Sequence, residues 1–133
     1  MSLAAVDAKG ISETLLIGVT ILTSLEDSFL KEIGIKMTLD ELILKLASNS
    51  QQYGLDGVVC SVNEVRKLKK DFGLEFLTVT PGIRVKEEKG DQKRVASLET
   101  AVKENTDYIV LGREISQAKD VSKMINKLES YII

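Results

Sequence analysis

The chain has 133 residues, 44% hydrophobic and 29% charged, with one proline and no tryptophan, the balance of a folded globular domain and not of a disordered or fibrous chain. Eighteen Lys and Arg against twenty Asp and Glu give a formal charge of −2, so no global positive field invites a nucleic-acid backbone, and any anion site must be local. With no histidine and a single cysteine, Cys60, this chain alone cannot assemble a His/Cys zinc site, a Ser-His-Asp or Cys-His dyad, or an internal disulfide, and a cytoplasmic location fits best.

In chain order, the first strand-like run is Leu15 to Leu22 (LLIGVTIL). It falls far short of the roughly 20 apolar residues that span a bilayer, so no membrane insertion is expected. Thr20, Thr23 and Ser24 at its end offer hydroxyls to a polar ring, although Ser24 reads equally as the cap of a short helix ending near Gly34. Thr38 and Glu41 have capping-box spacing, followed by Leu39, Leu42, Ile43 and Leu46 on one helical face and Gly54 beyond. Gly57 to Ser61 (GVVCS) is the second strand, with Cys60 as a small core residue. Ser61 and Glu64 repeat the box before a helix with the stripe Val65, Leu68 and Phe72. Glu75 to Pro81 (EFLTVTP) is the third strand. The polar segment Arg84 to Val95 has no apolar period and reads as a long loop. Tyr108 to Gly112 (YIVLG) is the fourth strand, and Asp120 caps a last helix in which Val121, Met124, Ile125, Leu128 and Ile132 share a face.

The runs are near-continuously apolar, as in parallel strands covered on both faces, and no two-residue hairpin turn joins any pair. The order βα-βα-βα-βα therefore predicts right-handed parallel crossovers. A Rossmann sheet would want a GxGxxG turn after the first strand, and Thr20-Ile21-Leu22-Thr23-Ser24 supplies none. The expected fold class is α/β, half of a (β/α)8 barrel made of four βα units, with residues 1–133 forming a single segment.

Thr80-Pro81-Gly82-Ile83-Arg84 and Leu111-Gly112-Arg113 end the last two strands, where such barrels commonly hold phosphate. Glycines let a backbone approach an anion, and guanidinium forks bind it bidentately. Each motif taken singly reads as ordinary turn glycines and surface arginines; the pair at one end of adjacent strands favours phosphate. Gln92 in the polar loop reads either as part of a closing lid or as a solvated residue, and Lys86, Lys89 and Lys93 read likewise. Asp56 and Asp107 precede strands and so belong to the non-catalytic rim. No lysine–carboxylate cluster is apparent at a strand end.

The segments LLIGVTILTSL, LDGVVCS, VTPGIR, GDQKRV and DYIVLGR, in this order, resemble the C-terminal half of bacterial orotidine 5′-monophosphate decarboxylases. The resemblance implies a dimeric (β/α)8 barrel that converts orotidine 5′-monophosphate to uridine 5′-monophosphate (UMP) in pyrimidine biosynthesis without a cofactor. It places Thr23 and Pro81 at the pyrimidine, and Arg84, Gln92, Gly112 and Arg113 at the phosphate. The family's DxKxxD pattern of catalytic lysine and aspartates is absent, so no catalytic residue is assigned and the chain alone is expected to be inactive. Alternatives are half of another phosphate-binding barrel enzyme, or a non-catalytic nucleotide- or sugar-phosphate-binding module. The expected partners are the nucleotide and either further copies of the chain or the missing N-terminal half-barrel. Pairing through the outer strands is expected to bury Ile17, Val19, Ile109 and Leu111.

Overall fold

A computed structural model describes residues 4, 7, 10–11, 13–21, 25–85 and 96–132. Thr23, Ser24, Lys86, Lys89, Gln92 and Lys93 lie outside them. The strands are β1 (Ile17–Val19), β2 (Gly57–Val59), β3 (Leu77–Pro81), β4 (Ile83–Arg84), β5 (Ala96–Ser97) and β6 (Tyr108–Val110). The helices are α1 (Asp27–Glu32), α2 (Leu39–Gln52), α3 (Val62–Phe72), α4 (Leu98–Lys103), α5 (Arg113–Ser116) and α6 (Val121–Ile132). A four-stranded sheet runs β1-β2-β3-β6 with every neighbouring pair parallel, and β4 and β5 form a separate parallel pair. All four expected strands are present, each shorter than its apolar run.

Local signals explain the helix starts. Glu41 N–H donates to Thr38 Oγ1 (3.3 Å) and Thr38 N–H to Glu41 Oε2 (2.8 Å), closing the box that opens α2. Asp120 Oδ1 accepts from Lys123 N–H at 3.0 Å, at the start of α6. The helix expected to be capped by Ser24 begins later than that: its N-cap is Glu26, which makes no side-chain capping bond.

One sheet face carries the core. Val58, Thr78 and Thr80 are fully buried under the helices. Val58 and Cys60 pack with Leu39, Ile43, Ala47, Val65 and Leu68; Ile109 and Leu111 pack against a second cluster containing Leu98, Ala101 and Leu128. The other face is open: Val19 is 65% exposed, Tyr108 51% and Val110 47%. Two expectations are corrected here. The strands are covered on one face only, because an eight-stranded barrel fills its interior with side chains from all its strands and this sheet has four. Ile109 and Leu111 already lie on the helix side, so Tyr108 and Val110 are the open-face residues of β6; in an unbroken apolar run either parity fits, and packing decides.

A polar network fastens the N-terminal ends of β3 and β6. The buried Lys69 ammonium donates to Leu74 O (2.7 Å), Phe76 O (3.0 Å) and Asp107 Oδ2 (2.6 Å). Asp107 Oδ2 also accepts from Thr78 N–H (2.7 Å) and Thr78 Oγ1 (2.9 Å). Burial pushes the Asp107 carboxyl up, but the hydrogen bonds from Lys69 and Thr78 outweigh it and hold the group below the usual aspartate value. This lysine–carboxylate pair lies where the strands begin, not at the C-terminal strand ends from which such a cluster was expected to be absent. Its partners are 38 residues apart in sequence, and its place is the one expected for Asp107.

Candidate functional site at the C-terminal rim

The register of β3 and β6 places Thr80 beside Ile109 and Pro81 beside Val110. Threonines reinforce it: Thr80 Oγ1 lies 3.1 Å from Tyr108 O as donor and 3.0 Å from Thr106 Oγ1. The two following segments, Gly82 to Arg84 and Leu111 to Arg113, therefore leave adjacent strands at the same end of the sheet.

Gly82 has φ +78°, a left-handed conformation that a side chain disfavours by roughly 1–2 kcal/mol. Through this turn the chain leaves β3, and Ile83–Arg84 pair with Ala96–Ser97. Ile83 and Val85 are buried, with half-buried Arg84 between them. Strand alternation thus turns Arg84 away from the core that its neighbours enter. The β4–β5 pair also holds the two ends of the polar segment side by side, a device that the sequence pattern did not suggest.

Gly112 occupies the N-cap position of α5, its carbonyl accepting from Ile115 N–H (3.1 Å) and Ser116 N–H (3.0 Å). Arg113, the first residue of α5, is exposed. Pro81, Arg84, Gly112 and Arg113 are therefore brought to one rim on adjacent strand ends. Thr23 and Gln92 lie outside the described residues.

Other polar groups at this end are engaged. Thr20 Oγ1 donates to Val59 O at 2.8 Å, so its proton serves the strand pairing and not a ligand, unlike the role first considered for it. The Glu64 carboxylate accepts from Ser61 N–H (2.7 Å) and Ser61 Oγ (2.8 Å) and thereby fixes the start of α3. The described lysine–carboxylate pairs lie elsewhere: Lys69–Asp107 at the opposite end of the strands, and Lys67–Asp40 at 3.6 Å between α3 and α2. Cys60 is buried, and desolvation pushes its thiol up to about 12, which removes it as a nucleophile near neutral pH. Among the described residues no three His, Cys, Asp or Glu side chains are grouped to hold a metal ion, and no helix is long and apolar enough to cross a membrane. The rim offers permanent positive charge and accessible backbone.

Residues 1–128 match the family described as orotidine 5′-phosphate decarboxylase / HUMPS. The chain belongs to this family. It is 51% identical over 115 residues to the orotidine 5′-phosphate decarboxylase of Idiomarina loihiensis, and 47% identical over 119 residues to that of Coxiella burnetii. Those matches cover 86% and 89% of the chain but 50% of each relative. The crystal structure of orotidine 5′-phosphate decarboxylase from Lactobacillus acidophilus superposes with a TM-score of 0.76 at 35% identity, covering 90% of this chain and 50% of that one. The chain thus spans about half the length of the curated relatives it matches, and its four parallel βα units are the C-terminal half of the family's (β/α)8 barrel.

Proposed function

We propose that this orotidine 5′-phosphate decarboxylase family member supplies the phosphate- and pyrimidine-binding half of the enzyme that converts orotidine 5′-monophosphate to UMP in the cytoplasm. The observation that carries the proposal is the pair of segments, Pro81-Gly82-Ile83-Arg84 and Gly112-Arg113, leaving adjacent parallel strands at one rim. Arg84 and Arg113 take the phosphodianion as bidentate donors, with Gly112 offering close backbone approach and Gln92 contributing from the loop. Pro81 lies against the base, and Thr23 contacts the pyrimidine. The names of the Idiomarina and Coxiella relatives support the substrate class.

Decarboxylation breaks the bond between C6 and the carboxylate carbon, leaves the electron pair on C6 and releases carbon dioxide; a proton must then reach C6. Stabilising that carbanion calls for a positioned ammonium. The described lysine–carboxylate pairs of this chain lie away from the C-terminal rim. The chain alone therefore binds nucleotide without turning it over.

Calorimetric titration of UMP into the chain and into Arg113→Ala tests the binding role. Loss of a hydrogen bond to a charged group is expected to weaken affinity by roughly 10- to 150-fold, that is about 1.5–3 kcal/mol. Arg113→Lys should recover only part, since an ammonium lacks the planar fork. Equal affinity of parent and Arg113→Ala would overturn the phosphate assignment. Loss of orotidine monophosphate absorbance with the purified chain would overturn the inactivity.

A further inference from the structure

Two fully buried side chains of β3, Thr78 and Thr80, carry hydroxyls, and burying a hydroxyl costs free energy unless a partner takes its proton. Both protons are taken. Thr78 Oγ1 donates to Asp107 Oδ2 (2.9 Å), and Thr80 Oγ1 donates to Tyr108 O (3.1 Å). With the Thr80 proton so committed, the 3.0 Å contact between Thr80 Oγ1 and Thr106 Oγ1 has Thr106 as its donor. The Thr80 hydroxyl is thus ordered by Thr106 and directed at β6, one residue before Pro81.

The strand pairing shows why that direction matters. Cys60 N–H donates to Val79 O at 3.0 Å, so the polar backbone groups of Val79 face β2, and alternation along the strand turns those of Pro81 the same way. Proline has no N–H to give, and the β2–β3 pairing ends at Val59 and Val79. The β3–β6 pairing runs on to Pro81 and Val110. At the rim, β3 is therefore held by β6 and not by β2.

We infer that Thr80 is a positioning residue for the rim: its hydroxyl ties the end of β3 to β6 and so sets the spacing between the Pro81-Gly82-Ile83-Arg84 and Gly112-Arg113 segments. The side chain is buried under the helices and does not touch the nucleotide. Its effect passes through the main chain, to Pro81 and Gly82 on one strand and from Tyr108 toward Gly112 on the other. A phosphodianion gripped from both segments needs both in place together, to within roughly 0.5 Å. A valine of nearly the same volume removes the bond to Tyr108 O and leaves Arg84 and Arg113 with their chemistry but without their fixed spacing. The freed Thr106 hydroxyl turns to Thr78 Oγ1, 3.4 Å away, which limits the cost to the fold. The inference rests on the nucleotide-binding reading of this rim.

Calorimetric titration of UMP into the parent chain, Thr80→Val, Arg113→Ala and the double variant tests it. Thr80→Val is expected to keep the parent's far-ultraviolet circular dichroism and to bind UMP roughly 2- to 12-fold more weakly, the effect of one ordinary hydrogen bond. Thr80→Ser keeps the hydroxyl and should restore the parent affinity. In the Arg113→Ala background, Thr80→Val should weaken binding by less than about 2-fold, because one of the two segments it spaces has already lost its grip; a chain that is merely destabilised would lose the same factor in both backgrounds. If Thr80→Val fails to fold, Thr106→Val takes its place, since it removes the donor that orders the Thr80 hydroxyl, and the same weakening and non-additivity are expected. Parent affinity in the folded variant, or equal factors in both backgrounds, would overturn the positioning role while Arg113→Ala still reports the phosphate contact. A parent chain that does not bind UMP would overturn the reading of the rim and this inference with it.

Discussion

Replacing Lys69 with methionine removes three contacts at once: the ammonium's bonds to Leu74 O, Phe76 O and Asp107 Oδ2. The Lys69 side chain is 6% exposed and that of Asp107 24%, so the carboxylate left behind can partly rehydrate and still keeps its bonds from Thr78. Breaking a buried pair costs about 3–5 kcal/mol, and the exposure of Asp107 puts Lys69→Met near 3. Asp107→Asn strands a more deeply buried ammonium, and about 4 kcal/mol is expected. Against a total stability on the order of 5–15 kcal/mol, either loss is large. The two changes should be less than additive, since each removes the same pair. Asp107 is held below the usual aspartate value in the folded chain. Its contribution is therefore complete above the unfolded-state value of about 4 and is lost as pH falls through the lower folded value. Urea denaturation followed by circular dichroism, at one fixed chain concentration because association would shift the midpoint, measures both effects. A Lys69→Met midpoint within 1 kcal/mol of the parent, roughly the worth of one ordinary hydrogen bond, would refute the reasoning. So would an unchanged acid limb in Asp107→Asn.

Gly57 sits where a Cβ would come within 2.1 Å of Leu77 O, so Gly57→Ala must push β2 from β3 and should cost about 3 kcal/mol or more by the same denaturation assay. Gly82→Ala meets no atom within 4 Å but keeps φ +78°, so a smaller loss of roughly 1–2 kcal/mol is expected, with weaker UMP binding if the turn aims Arg84. The Cys60 thiol, raised to about 12, should resist alkylation at neutral pH until the chain unfolds; labelling faster than unfolding would contradict its burial.

What the sequence revealed depended on how far apart the interacting groups lie. The caps at Thr38 and Asp120 use partners three residues away, and the apolar runs name their strands, so both were legible. The fastening of Lys69 to Asp107 spans 38 residues and has no local signature. The β4–β5 pair was hidden because Ile83–Arg84 and Ala96–Ser97 flank a polar segment that reads as loop. The cap of α4 is equally local: Ser97 Oγ accepts from Thr100 N–H at 3.1 Å, three residues on. Which face of β6 is buried could not be read from Tyr-Ile-Val-Leu, where both parities are apolar. Of the rim, the positions of Pro81, Arg84, Gly112 and Arg113 after β3 and β6 were legible because strand ends are marked in the sequence; their binding roles are the proposal made above.

The placement of the Lys69, Asp107 and Thr78 fastening has a consequence for redesign. It grips β3 and β6 near their starts, about 10 Å along β3 from Pro81 at ~3.3 Å per residue. Loops grafted after Pro81 or Leu111 can therefore be lengthened, shortened or recoded for a different phosphorylated ligand while the strands beneath them stay anchored. The rim is free to diversify because its foundation lies at the other end.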